Sequence, residues 1–342
     1  MLIMKFRKIF ALAVSAVTAV SLLASCGVKE EASSESNSGS SDKHYKIGIV
    51  QIMEHTSLNT IRDAVISRLE ELGYVDGKNC TIDAQQANNE STTVQQILDQ
   101  FKSNGDDIII AITTPCAQLA APYSEDIPVV FSAVTDPIGA GLCESLESTG
   151  SNITGTSDAL DITKILDFAL EMKPEIKTLG YLYNTGEDNS VSCLKQVKEY
   201  CEKKNITVVE GAATNTSEVQ EAAQNLASKC DAVFSPNDNT IAGAMGTVAE
   251  VMNKAKIPMF VGADSMVMDG GLGTVGIEYS DLGKETANMV AQILSGEKKA
   301  SEIPVKVFNE DLSTYINKTT AEAIGISIPD SIANGEKTVF FK

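Results

Sequence analysis

Residues 107–115 read Asp-Ile-Ile-Ile-Ala-Ile-Thr-Thr-Pro. The unbroken apolar run from Ile108 to Ile112, opened by Asp107 and closed by Thr113-Thr114-Pro115, has the length of a strand. A half-exposed strand alternates apolar and polar side chains. This one does not, so both of its faces are buried, as in a parallel sheet covered by helices on two sides. The neighbouring stretches supply those helices. Tyr45–Val50 is a short strand pattern running to Gln51. Leu58, Ile61, Val65, Leu69 and Leu72 then recur at helical spacing, and Gly73 stops that helix. A strand-like Cys80–Ala84, a helix around Thr92–Lys102 and the apolar triplet Val129-Val130-Phe131 follow. Strands alternating with amphipathic helices predict an α/β, doubly wound sheet.

The same grammar then starts again. Strands are expected at Thr178–Tyr183, Thr207–Glu210, Asp231–Ser235 and Pro258–Val261. Helices are expected at Val191–Lys203, Ser217–Ser228 and Ile241–Ala255. The halves echo each other in detail: Ile47-Gly-Ile-Val50 matches Leu179-Gly-Tyr-Leu182, and Pro128-Val-Val-Phe131 matches Pro258-Met-Phe-Val261. Two doubly wound parallel-sheet domains from one ancestral unit are the simplest account. In such sheets ligands bind beyond the carboxyl ends of the strands, and two domains facing each other make those ends a cleft. The polar clusters stand there: His55-Thr56-Ser57, Thr113-Thr114-Pro115, Thr135-Asp136-Pro137, Asn184 with Asn189-Ser190, Asn237-Asp238-Asn239 and Asp264-Ser265. Such residues are also ordinary helix N-caps. One cap per helix would suffice, though, so the doublets Thr113-Thr114 and Asp238-Asn239 ask for more.

The first residues speak of export. Lys5, Arg7 and Lys8 precede an apolar run from Ile9 to Leu23, and a Ser-rich acidic tract through Ser41 follows. That order is a secretory signal, and the run is too short for a stable membrane span. Its ending, Leu23-Ala24-Ser25-Cys26, resembles a bacterial lipobox. The resemblance implies cleavage before Cys26, a lipid on its sulfur and a place outside the cytoplasmic membrane. Residues 1–25 are thus expected to be a lipoprotein signal and 26–44 a disordered tether. The remaining body of just under 300 residues is large enough to split into two cores. With 27 Lys and Arg against 46 Asp and Glu the chain carries −19, near −22 without its leader. Such a surface repels phosphate backbones, which excludes nucleic acid, and leaves membrane attachment to the lipid. Six cysteines remain after Cys26, none in a Cys-x-x-Cys pair, and His44 and His55 are the only histidines. No zinc spacing or disulfide framework is present, so neither a metal nor a cofactor is called for.

At these residues the chain resembles the solute-binding lipoproteins of ABC importers, in the branch associated with tryptophan and tyrosine uptake. The stretches that carry the likeness are Ile47–Leu58, Ala111–Pro115 with Ala117-Gln118, Pro128–Gly141, Asn152–Gly155, Tyr183-Asn184, Pro236–Asn239 and Gly276–Gly283. Together they cover about 45–330, and Pro128–Gly141 with Asn152–Gly155 is the most specific piece. The resemblance implies the type I periplasmic-binding-protein-like fold, with three crossovers placed near Thr156–Asp161, Tyr279 and Ala300. Residues 45–157 plus 280–300 would form the N-terminal lobe and 158–279 plus 301–342 the C-terminal lobe. It further implies hinge closure around a small molecule, delivery to a permease driven by a cytoplasmic ATPase, and no covalent chemistry. A monomer is the default for lobes that must close.

An amino-acid zwitterion would need hydroxyls and helix-start N–H groups for its carboxylate. Thr113 and Thr114 suit this, with Ser57 and Ser190 as alternatives and His55, Thr135, Asn184 and Asn239 nearby. Its ammonium would need a buried carboxylate: Asp136 and Asp238 are favoured, with Asp264 and Glu278 behind them. An aromatic side chain would need a flat partner. Tyr183 and Tyr279 are available, whereas Phe131 and Phe260 read as core. The lack of basic residues at the cleft argues against highly anionic ligands, while branched amino acids, nucleosides and short peptides stay open. Three rivals compete. A hydrolase built on His55, Glu54 and Ser57 lacks a Gly-x-Ser-x-Gly elbow, and no Gly-rich phosphate loop follows the first strand. A ligand sensor of the same fold differs only in its partner. A surface adhesin would not need matched polar clusters.

Overall fold

The computed structural model describes residues 43–342. The signal, Cys26 and nearly all of the tether therefore lie outside the described residues. The strands are β1 (Tyr45–Gln51), β2 (Cys80–Gln86), β3 (Ile108–Ile112), β4 (Val129–Ser132), β5 (Ile153–Ser157), β6 (Thr178–Asn184), β7 (Thr207–Ala213), β8 (Ala232–Ser235), β9 (Met259–Val261), β10 (Gly273–Gly276), β11 (Lys306–Val307), β12 (Ser313–Asn317) and β13 (Thr338–Phe341). The helices are α1 (Thr56–Glu71), α2 (Ser91–Asn104), α3 (Thr114–Ala120), α4 (Ile162–Met172), α5 (Asp188–Lys204), α6 (Thr216–Ala227), α7 (Asn239–Ala242), α8 (Met245–Ala255), α9 (Asp264–Met268), α10 (Tyr279–Leu294), α11 (Lys318–Ile324) and α12 (Asp330–Ala333).

Among the described residues the strands form two sheets, in the orders β11-β5-β4-β3-β1-β2 and β13-β12-β10-β9-β8-β6-β7. The first five strands of each half follow one pattern, with the second strand outermost, the first beside it, and the third, fourth and fifth beyond. These pairs are all parallel, as the apolar runs require. Ile108 to Ile112 are fully buried at the centre of the first sheet. The second sheet is extended by β12, antiparallel to β10, and by β13.

The chain passes between the lobes at 158–161, 277–278 and 309–312. The last of these differs from the expected place near Ala300. Residues 300–308 stay with the first lobe, because the outer edge of β5 needs partners for its backbone groups. Lys306 pairs with Thr156, Val307 pairs with Ser157, and the Phe308 N–H donates to the Ser157 carbonyl at 2.9 Å. Helix α10 returns to the first lobe and lies against α1. Gly283 makes this approach possible, since a Cβ there would run into the Ile61 carbonyl and the Ala64 methyl. The span Ile241–Ala255, expected as one helix, is two, α7 and α8, interrupted at Gly243-Ala244.

Candidate functional site

Where the strand ends of the two sheets face each other, they line a narrow cavity. Each wall is built by the turn that follows a strand. After β1, the chain extends through His55 and enters α1, presenting Ser57 and Leu58. After β3 comes Thr113 with φ +97° and ψ 158°, a region side chains rarely enter, and then Thr114. After β4 comes Ala133 with φ +56°, and then Thr135. Strain of this kind, about 1–3 kcal/mol per residue, persists where the surroundings over-determine it, and it clusters at functional sites. The second lobe contributes Asn189 from α5, Asn237-Asp238-Asn239 after β8, and Ala263 and Met266 around α9. Asp158 and Tyr279 come from two of the crossovers.

The lobes touch across the cleft on several sides. The Ser57 and Ser265 hydroxyls are hydrogen-bonded, and His55 Nε2 lies 3.4 Å from Asn239 Oδ1. Asn237 Nδ2 donates to Thr135 Oγ1 at 2.9 Å. At the rim, the Ser192 hydroxyl donates to Asp136 Oδ2 and Gln118 Nε2 donates to Asp188 Oδ2, both at 2.8 Å. Four cavity-lining residues bury a polar atom without a partner: His55 Nδ1, Thr114 Oγ1, Asn189 Oδ1 and Asn237 Oδ1. An unpaired buried polar group costs about 1–3 kcal/mol, so four around one cavity mark a place shaped for a molecule that pairs them.

The expected site residues divide into two groups. His55, Ser57, Thr113, Thr114, Thr135, Asp238 and Asn239 line the cavity. Asp136, Tyr183, Asn184, Ser190, Asp264 and Glu278 do not. Asp136 is spent on the Gly139 N–H and the Ser192 hydroxyl at the rim. The Tyr183 hydroxyl donates to Glu210 at 2.7 Å, away from the cleft. Asn184 ties Gly186 to Thr240, and Ser190 donates to Asp238. Asp264 accepts from the Ser265 N–H, and Glu278 from the Ser280 hydroxyl. Asp238, favoured as an ammonium partner, borders the cavity with its oxygens already occupied. Oδ1 caps α7 through the Ile241 N–H at 2.9 Å, and Oδ2 accepts from the Asn184 N–H and the Ser190 hydroxyl at 2.7 Å each. Behind it, Glu187 clamps Asn239 and Thr240. Burial, and then the neighbouring Asp238 carboxylate, push the Glu187 carboxyl up. Burial lowers His55 to about 4, so its ring is neutral. The Ser57 hydroxyl is paired with Ser265, and the His55 ring faces Asn239.

Asp158, Asn189 and Asn237 are the polar lining residues not singled out above. Asn189 and Asn237 sat inside clusters that were. Asp158 had no such signal, because it reads as the first residue of a crossover.

Residues 46–339 match the family described as ABC transporter substrate binding protein. The chain belongs to that family. It is 39% identical over 322 residues to a tyrosine-binding protein of Clostridioides difficile, covering 94% of this chain and 93% of that one. Among solved structures it resembles the ABC domain in complex with L-Trp from Streptococcus pneumonia, at 36% identity and a TM-score of 0.82, covering 87% of this chain and 100% of that one. The ligand-free, open structure of a substrate-binding protein with adhesive properties from Clostridium difficile is equally similar in sequence, at 36%. It scores only 0.66, over 87% of this chain and 99% of that one. In this member of the family several hydrogen bonds cross the cleft between the lobes. Proteins of this family capture a solute for an ABC transporter outside the cytoplasmic membrane. No helix among the described residues is long and apolar enough to cross a membrane.

Proposed function

We propose that this substrate-binding protein captures an aromatic amino acid, tyrosine or tryptophan, in the interlobe cavity and hands it to its permease. The observation that carries the reading is the set of four unpaired polar atoms around one cavity. Two relatives point to the cargo: one is a tyrosine-binding protein and the other holds L-Trp. The lining has two chemical poles and an apolar wall. Thr113, Thr114 and Ser57 offer hydroxyls for a carboxylate, and Asp158, Asn189 and Asn237 offer acceptors for an ammonium. Leu58, Ala133, Ala242, Ala263 and Met266 face a hydrocarbon, with the neutral His55 ring beside them. Attachment through a lipid on Cys26 and docking of the closed form on a permease with its ATPase belong to the same reading.

A thermal-shift screen of the chain from Ser41 against all amino acids, nucleosides and common sugars tests it. A ligand at about a thousand times its dissociation constant adds roughly 4 kcal/mol, a shift of several degrees. The expected result is stabilisation by Tyr or Trp that Thr114→Ala weakens. Silence from every aromatic amino acid would refute the assignment.

A further inference from the structure

The cavity holds a carboxylate with no cation. Asp158 is only 4% exposed. Its Oδ1 accepts from Thr135 Oγ1 at 2.9 Å, and its Oδ2 from Asn237 Nδ2 at 2.5 Å and the Tyr279 hydroxyl at 2.8 Å. These donors are neutral: they spread the charge without cancelling it. No lysine or arginine lines the cavity. A carboxylate offers about four acceptor positions. Three are used here, and the free one lies on Oδ1. Asn189 and Asn237 bury their Oδ1 atoms unpaired in the same cavity. Their amide orientations are tied by their Nδ2 atoms: that of Asn189 donates to the Asn237 carbonyl at 3.2 Å, and that of Asn237 to Thr135 and Asp158. One open anionic position and two orphaned carbonyl-type acceptors match a group with three N–H donors and one positive charge.

We propose that Asp158, with the Oδ1 atoms of Asn189 and Asn237, receives the ligand's α-ammonium group and sets the preference of the site for amino acids over their des-amino counterparts. This rests on the reading of the cavity as an amino-acid site and names the residue that enforces it. Among the other candidate carboxylates, Asp238 is fully buried with its Oδ1 capping α7 and no orphaned acceptor bonded to it, and Asp136, Asp264 and Glu278 stand outside the cavity. Burial pushes the Asp158 carboxyl up, against hydrogen bonds from Tyr279, Asn237 and Thr135 that pull it down. A bound cation adds to the pull. Asp158 is also held from three sides at once: by Thr135 of the first lobe, Asn237 of the second and Tyr279 of the crossover helix. The ligand's charge is thus read at the point where the lobes meet the hinge.

Calorimetric titration of the full chain with L-Tyr, L-Trp, L-Phe and L-Leu, each beside its des-amino acid, decides it. The wild type is expected to hold the cognate amino acid at least about 100-fold more tightly than the des-amino partner. Asp158→Asn is expected to cost the amino acid about 100-fold and the des-amino acid no more than about threefold, so the ratio collapses. Equal binding of both partners by the wild type overturns the proposal. So do parallel losses in Asp158→Asn, which would make the residue a strut of the hinge. Circular dichroism establishes that the variant folds; should it not, the wild-type ratio alone decides. If L-Leu binds with the expected ratio and no aromatic amino acid does, the cargo assignment fails and Asp158 stands. If nothing bearing an ammonium binds, both fall.

Discussion

Five buried carboxyls and one histidine set how stability answers to acid. Burial raises Asp106 and Asp264 to about 6 each, and it raises Asp158, Glu187 and Asp238 in the same direction. Between the unfolded and folded values such groups hold their protons better in the fold, so their contribution is complete at low pH and lost as pH rises through about 6. His55 opposes them. With a folded value of about 4, it costs stability as pH falls from its unfolded 6.5. The carboxyls outnumber it, so the melting temperature is expected to be higher at pH 5.5 than at pH 7.5, and Asp264→Asn to remove part of that gain. A flat or inverted profile would contradict these directions. Cys80, Cys116, Cys143, Cys193, Cys201 and Cys230 are free and buried, so a thiol reagent should be slow on the native chain from Ser41 and titrate six thiols once it unfolds. At this scale the sequence showed hydroxyl and amide doublets at strand ends, because helix starts collect them. It could not show which side chains border the cavity: Asp136 and Asp264 look as available as Asp158 until the Ser192 hydroxyl and the Ser265 N–H are seen on them.

Among the elements, two close approaches are made by glycines with no room for a methyl group. At Gly155, in β5, φ is +158° and a Cβ would collide with the Phe131 carbonyl on β4. At Gly283 it would collide with Ile61 of α1. Overpacking of this kind costs about 1–3 kcal/mol. Gly283→Ala is expected to lose about 2 kcal/mol in urea unfolding, and Gly155→Ala about 3 kcal/mol, since backbone stands in the way at both and the approach at Gly155 is the tighter. A variant as stable as the parent would show that the elements slide apart at no cost. Strands and most helices were legible from periodicity alone, the apolar runs of β1, β3 and β4 above all. The break between α7 and α8 was not, since Gly243 lies in an otherwise helical pattern. The chain leaves the helical region at Ala244, and Met53 of the opposite lobe lies over Gly243, where a Cβ would strike its methyl. The third crossover was misplaced because Lys306-Val307 is too short to read as a strand.

At the scale of the molecule, closure is held at the rim by Ser192–Asp136 and Gln118–Asp188. Exposed pairs contribute modestly, so the double variant Ser192→Ala, Gln118→Ala is expected to speed ligand dissociation severalfold in stopped-flow traces without changing the melting temperature of the ligand-free protein. An unchanged rate would place the latch elsewhere. The two-lobed plan itself was readable, because a duplicated sequence folded twice into the same strand order. That plan also governs when the protein can fold. The first lobe is not one stretch of chain: its α1 surface waits for α10, and the edge of β5 waits for β11. From Tyr45 to Val307 is about 260 residues of synthesis, roughly 13–50 s at 5–20 residues per second. A nascent chain therefore lacks the last strand of its own first domain until Val307 has been added. A protein that works outside the cytoplasmic membrane gains from this, since an incomplete lobe stays threadable.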